Sequence, residues 1–322
     1  MCRTCGDRQQ IRGDVVAGNN RIIEVENLEK SYGDVHAVKG ISFYVEEGKL
    51  FAFLGPNGAG KSTTIDMFST VLKPDSGSVI IDGSILGKDD DAVRKSIGVV
   101  FQYGVLDDVL TVKENLLFRA SLYGLRSIEA KNAVDSACQL AAVTDIADRP
   151  YVKLSGGQRR RCDIARALIH MPKILFLDEP TTGLDPQTRK RMWDLIIHMK
   201  DELGTTIFLT THYMEEAAEA DYVIVIDDGQ MVAKGTPMEL KEKYASDKLI
   251  LVSSDIHKVA DLLRTMGLEY DLNGDYLIVP LRTSLDALPL LELLKDYLIS
   301  FEVVLGTMDE AFIAITGKEL RE

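Results

Sequence analysis

The run Gly55-Pro56-Asn57-Gly58-Ala59-Gly60-Lys61-Ser62-Thr63 constrains this chain more than any other stretch. It follows the apolar residues Leu50-Phe51-Ala52-Phe53-Leu54 and leads into Thr64-Ile65-Asp66-Met67-Phe68. Strand, glycine-rich loop and helix in that order is the context a phosphate-binding loop requires. Gly55, Gly58 and Gly60 allow φ values that other residues resist, so the loop's N–H groups can turn inward. With the start of the following helix they form a concave anion site. Lys61 brings a full positive charge for the β- and γ-phosphates, and Ser62 offers a hydroxyl to Mg²⁺.

The length, 322 residues, allows two domains or one large domain with an appendage. A hydrophobic content of 46% supports a sizeable core. No apolar run approaches the roughly 18 residues of a membrane span. The N-terminus also lacks the apolar region of a signal peptide, so a soluble, cytoplasmic protein is expected. The net charge of −13 argues against a nucleic-acid partner, because an acidic surface repels a phosphate backbone. Cys2 and Cys5 form a C-x-x-C pair, but no histidine lies near enough in sequence to complete a zinc site. Residues 1–20 read as a disordered tail. Cys138 and Cys162 sit in helical patterns and read as small buried hydrophobes.

From Arg21 the pattern is β-like, with strands at Ile22–Val25 and Ile41–Val45 ahead of the loop strand. Tyr32, between the first two, either packs on a turn or offers its ring face to a planar base. Gln102 follows the apolar run 97–101. It is either a polar strand cap or an amide that reaches a metal ion or an attacking water at the strand's carboxyl end. Residues 111–147 hold apolar positions at helical spacing and read as a helical subdomain inserted into an α/β core. Leu154-Ser155-Gly156-Gly157-Gln158 then opens a helix, giving a second anion-binding N-terminus, with Arg159-Arg160-Arg161 expected on a solvated face.

Ile174-Leu175-Phe176-Leu177 has the continuous apolar character of a strand buried on both faces. Two carboxylates, Asp178 and Glu179, stand at its end. One polar residue would suffice as a cap, and a bare buried carboxylate is costly unless something such as a nucleotide-bound Mg²⁺ pairs with it. Asp185 lies in the loop before the next helix. The strand Thr206–Thr210 brings His212 to the same edge of the sheet, where a lone histidine is more often structural. From about residue 246 a β-α-β-β-α-β pattern of ferredoxin type follows, its weakest strand near Glu269-Tyr270. A last helix is marked by Thr307 and Glu310 as a capping box, a shared face of Met308, Ala311, Phe312 and Ile315, and Gly317 at its end.

Taken together, these motifs resemble the nucleotide-binding subunit of an ABC (ATP-binding cassette) transporter. The match runs through residues 21–240: phosphate loop at 55–63, Gln102, signature at 154–158, acidic strand at 174–179, Asp185 and His212. The tail ending in Asp309-Glu310-Ala311-Phe312 and Thr316-Gly317 is similar to the drug- and antibiotic-resistance exporter branch. The resemblance implies an α/β fold of the P-loop NTPase class, with an ATP-binding domain over 21–245, its helical subdomain at about 106–158, and a small α+β domain over 246–322. It implies that Tyr32 stacks on adenine and that the loop residues Gly55, Pro56, Asn57, Gly58, Ala59, Gly60 and Thr63 cradle the phosphates with Lys61. Ser62, Gln102 and Asp178 would serve Mg²⁺, Glu179 would polarise the attacking water, and His212 would contact the γ-phosphate. Ser155 and Gly157 would bind the γ-phosphate of ATP held by a second copy, since one chain carries one phosphate loop and a separate anion-binding helix start, and Gly156, Gln158 and Asp185 are nucleotide-binding residues by the same resemblance. The partner implied is a separately encoded membrane permease, with the chain on the cytoplasmic face. Cys162 stands where relatives more often carry a larger aliphatic residue. The competing class is a non-transport ABC ATPase of translation or DNA repair. Against it stand the single phosphate loop, the lack of sustained heptads and the acidic charge.

Overall fold

The computed structural model describes residues 20–317, so the Cys2/Cys5 pair and all but Asn20 of the expected tail lie outside the described residues. Strands β1 (Arg21–Tyr32) and β2 (Val35–Glu46) form a long antiparallel hairpin. Both exceed the apolar runs read from sequence, because register shifts along the pair let polar stretches join the ladder. Tyr32 is therefore the last residue of a strand. Then come β3 (Leu50–Leu54), α1 (Lys61–Phe68), β4 (Ser76–Ile81), β5 (Ser84–Ile85), α2 (Asp90–Ser96) and β6 (Ile97–Val100). The helical insert holds α3 (Val112–Leu122) and α4 (Ser127–Leu140). The chain returns through α5 (Gly156–Leu168), β7 (Ile174–Asp178), α6 (Pro186–Leu203), β8 (Thr206–Thr211), α7 (Met214–Ala218), β9 (Tyr222–Asp227), β10 (Gln230–Gly235) and α8 (Pro237–Tyr244).

Six of these strands make the central sheet in the order β10-β9-β3-β8-β7-β6, parallel except for the β10 edge. A second, antiparallel sheet has the order β2-β1-β4-β5. Side chains alternate along a strand, and β3 shows what this does. Leu50, Ala52 and Leu54 enter a core shared with the helices, while Phe51 and Phe53 enter one shared with the antiparallel sheet. In the latter the rings of Phe43, Phe51 and Phe208 stack, with Phe51 and Phe208 5.0 Å apart. Every residue of β3, β7 and β8 is buried, as parallel strands covered on both faces require, and the apolar runs 50–54, 174–177 and 207–209 fill their centres.

The remaining elements are β11 (Asp247–Ser253), α9 (Ile256–Thr265), β12 (Asp271–Asn273), β13 (Tyr276–Leu281), α10 (Ala287–Leu294), β14 (Leu298–Val304) and α11 (Met308–Thr316). Their antiparallel sheet, β12-β13-β11-β14, encloses a separate core that includes Leu249, Leu251, Leu263, Leu277 and Leu294. The weak strand lies at 271–273, just after the position read from sequence. The last helix carries the expected capping box and ends at Gly317 with φ 67°. Its apolar face does not join that small core. Met308 and Phe312 enter the core of the larger unit with Met214, Ala217 and Leu240, and α11 packs on α7 and α8. Just before it, Gly306 lies so close to Ala245 that an added Cβ would sit 2.8 Å from the alanine's own.

Candidate active site

The end of β3 delivers the chain into a loop too crowded for side chains at two positions. A Cβ on Gly55 would lie 2.3 Å from the Ile226 carbonyl oxygen, and one on Gly60, at φ +101°, 2.4 Å from that of Ala37. The loop thus hugs β9 and β2, and α1 begins at Lys61. That lysine is only 4% exposed. Its ammonium donates to the carbonyls of Gly55 (2.8 Å) and Pro56 (3.0 Å) and lies 3.3 Å from Glu179 Oε1. Burial pulls its pKa down, and Glu179 opposes the shift.

Asp178 closes β7 and is 5% exposed. Its Oδ1 accepts from Thr210 Oγ1 at 2.5 Å and from Ser62 Oγ at 3.2 Å. Glu179 follows in the left-handed region at φ 45°, a conformation that costs a side-chain-bearing residue of order 1 kcal/mol. The turn is held because the Glu179 amide donates to Thr210 through both its carbonyl (3.2 Å) and its hydroxyl (3.1 Å). It leaves the Glu179 carboxylate among Lys61, His212 Nδ1 (3.4 Å), Gln102 Nε2 (3.3 Å) and Thr182 Oγ1 (3.2 Å). Burial works to raise its pKa, but His212 and Lys61 outweigh it and hold the group down to about 2. A cleft of ≈ 260 Å³ opens beside it, lined by Asn57, Gly58, Gly60, Lys61, Ser62, Thr63, Gln102, Glu179 and Ala37.

The structure therefore brings Lys61, Ser62, Gln102, Asp178, Glu179 and His212 together. It leaves the other group apart. Ser155 caps α5 reciprocally with Gln158, its Oγ accepting from the Gln158 amide at 3.3 Å and its own amide donating to Oε1 at 3.0 Å. Asp185 caps α6 by accepting from the Thr188 amide at 3.1 Å. Gly157 leaves no room for a side chain, since a Cβ would lie 2.2 Å from Thr188 Cγ2. None of these residues lines the cleft, and Gly156 lines an adjoining one of ≈ 320 Å³ that shares with it Gln102 alone. Tyr32 is half exposed at the end of β1 and is not among the cleft residues, whereas Ala37 is.

The model of the ABC transporter family matches residues 38–182. The chain is also 38% identical over 307 residues to a daunorubicin/doxorubicin resistance ATP-binding protein of Streptomyces peucetius, spanning 92% of this chain and 93% of the relative. The chain belongs to the ATP-binding proteins of ABC transporters. A linearmycin resistance ATP-binding protein of Bacillus subtilis is 34% identical, spanning 94% of this chain and all of the relative. Among solved structures, an ABC transporter component from Clostridium perfringens aligns at TM-score 0.63 and 36% identity, covering 69% of this chain and 90% of that one. A cassette solved as a dimer bound to ADP and Pi aligns at 0.61 and 30%, covering 66% and 98%. The protein is thus an ATPase of the ABC type, with the α/β fold of that class. The reading as a translation or repair ATPase is not favoured by these relatives. Among the described residues no helix is long and apolar enough to cross a membrane.

One expectation for this ABC ATPase is overturned. Arg160 is not on a solvated face but 8% exposed, donating to the backbone carbonyls of Phe101, Asp178, Glu179 (2.9 Å) and Pro180 (3.0 Å). The sequence held a signal: Arg160 shares helical spacing with buried Ile164, Ala167 and Leu168, so it falls on the apolar stripe of α5. Thr210 and Thr182, which hold the two acids, gave no such sign.

Proposed function

We propose that this chain is the ATP-hydrolysing subunit of an exporter, working as two copies arranged head to tail on the cytoplasmic face of a membrane permease. The observation that carries this reading is the separation of the two anion-binding helix starts within one chain. Lys61 and the phosphate loop line one cleft, and Ser155–Gly157 stand outside it. A second copy with its signature over the first copy's cleft would complete both sites by one two-fold operation. The dimeric relative with ADP and Pi supports the pairing. The resistance proteins, together with a Nod factor export ATP-binding protein of Ralstonia nicotianae at 35% identity, support export as the direction. Tyr103, Val109, Phe118 and Leu122 are exposed on and after the Gln102 loop and would offer apolar surface to the permease.

In this reading the loop amides and Lys61 hold the β- and γ-phosphates, Tyr32 stacks on adenine, and Asp185 and the signature close over the partner's nucleotide. Ser62 Oγ lies 3.2 Å from Asp178 Oδ1, and Gln102 lines the same cleft as Ser62; side-chain oxygens of this kind suit a hard cation, so these residues fit Mg²⁺, which would neutralise developing phosphate charge. Phosphate oxygens compete with Glu179 for Lys61. As Lys61 turns to them, Glu179 loses one of the two neighbours that depress its pKa and becomes a better acceptor for the proton of an attacking water. His212, whose Nδ1 lies against the same Glu179 oxygen as Lys61, would contact the γ-phosphate. Residues 21–245 carry this chemistry.

The test is complementation between two dead variants. Lys61→Ala keeps its signature, and Ser155→Arg, which blocks the anion pocket, keeps its phosphate loop. Mixed heterodimers have one composite site intact and should regain ATPase activity. Ser155→Cys in a Glu179→Gln background should also crosslink to a cysteine set near the partner's phosphate loop, only with ATP. No recovery and no ATP-dependent crosslink would reject the head-to-tail arrangement.

A further inference from the structure

Glu216 is a carboxylate with no part in the chemistry above, and it is 2% exposed. It lies on α7, four residues beyond His212. Thr211 Oγ1 donates to its Oε2 at 2.6 Å, and Thr181 Oγ1 donates to its Oε1. Both threonines are themselves buried. Thr181 is two residues past Glu179, in the loop that leads to Asp185. Thr211 immediately precedes His212. Its carbonyl accepts from the Gly55 amide at 3.2 Å, and its hydroxyl also accepts from the Tyr213 amide at 2.9 Å. Trp193 and Arg189 of α6, the helix capped by Asp185, face the same carboxylate.

One side chain therefore touches three segments, each of which carries a residue of the site. Its neighbours Met214 and Ala217 are core residues, and an apolar side chain there would avoid the cost of dehydrating a charge. What an apolar residue lacks is two directed acceptors. We infer that Glu216 is a positioning residue, which locks the loop carrying Glu179 and Asp185 to the strand end carrying His212 so that they shift together when the site closes. Burial pushes its pKa up, and the hydroxyls of Thr181 and Thr211 only partly oppose that rise. Glu216 does not line the cleft, so its removal leaves nucleotide binding intact.

This inference rests on the roles given to Glu179 and His212, and the test separates the two. Near-isosteric variants of the full-length chain, Glu216→Gln, Thr181→Val and Thr211→Val, are compared with Thr181→Ser, Thr211→Ser and Glu179→Gln. Displacing catalytic groups costs roughly ten- to a hundredfold in kcat, which is the loss expected in the first three. KM for ATP and calorimetric ATP affinity should stay within about twofold, the serine variants should recover most of the rate, and Thr181→Val with Glu216→Gln should lose no more than the worse single change. Should Glu216→Gln unfold at the assay temperature, the two valine variants decide. The inference fails if kcat stays near wild type, if ATP affinity falls in step with kcat, or if the paired changes are additive. A Glu179→Gln protein that still turns over would instead overturn the role of Glu179. An inactive Glu179→Gln beside a normal Glu216→Gln would overturn only the role of Glu216.

Discussion

Glu179 is held at rest between Lys61 and His212, and in the proposed mechanism it must part from Lys61 before it can take a proton. Lys61 at 3.3 Å and His212 at 3.4 Å keep its pKa at about 2, and a carboxylate that acidic takes a proton from water poorly. Glu179→Gln keeps the shape and the phosphate loop but not the charge. Its ATP affinity should persist while turnover falls roughly 10²–10⁴-fold, measured by steady-state phosphate release. A stability signature accompanies this. The folded pKa lies below the ordinary 4.5, so the charge contributes stability that is fully present above pH 4.5 and is lost as pH falls toward 2. The stability difference between wild type and Glu179→Gln should therefore change by about 2 kcal/mol between pH 5 and pH 3, read from urea titrations. A difference constant over that range would mean that the carboxylate is not paired.

At the scale of elements, α5 does more than present the signature at its first turn. Through Arg160 it pins the chain just past β6 and the end of β7, where Gln102 and the two acids stand. Arg160→Met would leave several buried carbonyls without donors, at roughly 1–3 kcal/mol for each group left unmet. A stability loss of roughly 2–4 kcal/mol and a marked fall in turnover are expected, and an unchanged urea midpoint would count against this account. Phosphate loop, acidic strand end and the Thr307–Glu310 capping box were legible in the sequence because each is set by a few adjacent residues. Arg160 was not read correctly because three arginines in a row suggest a wet surface, and periodicity carried the contrary sign. The second helix of the β-α-β-β-α-β pattern resolves into α10 with short 3₁₀ turns on both sides, the kind of boundary that composition alone does not fix. Thr181, Thr211 and Glu216 meet only through the parallel pairing of β7 and β8, which no local pattern reports.

At the scale of the whole molecule, the caps of α11 were readable but its berth was not, since a helix's partner depends on contacts distant in sequence. Phe312 is 1% exposed in the larger core, so Phe312→Ala should cost roughly 3–5 kcal/mol in the thermal or urea unfolding of the ATPase unit. A loss confined to the small unit would show that α11 is docked elsewhere. The chain leaves the ATPase at Ala245 and comes back at Gly306, whose amide donates to Asp247 Oδ1 at 2.9 Å, so departure and return run side by side. The small unit is thus spliced into the ATPase rather than hung from its end. A stop codon after residue 245 would strip Met308 and Phe312 out of the remaining protein, and the resulting defect would say nothing about what the small unit does. Joining Ala245 directly to Thr307 would cut at a seam the fold already provides.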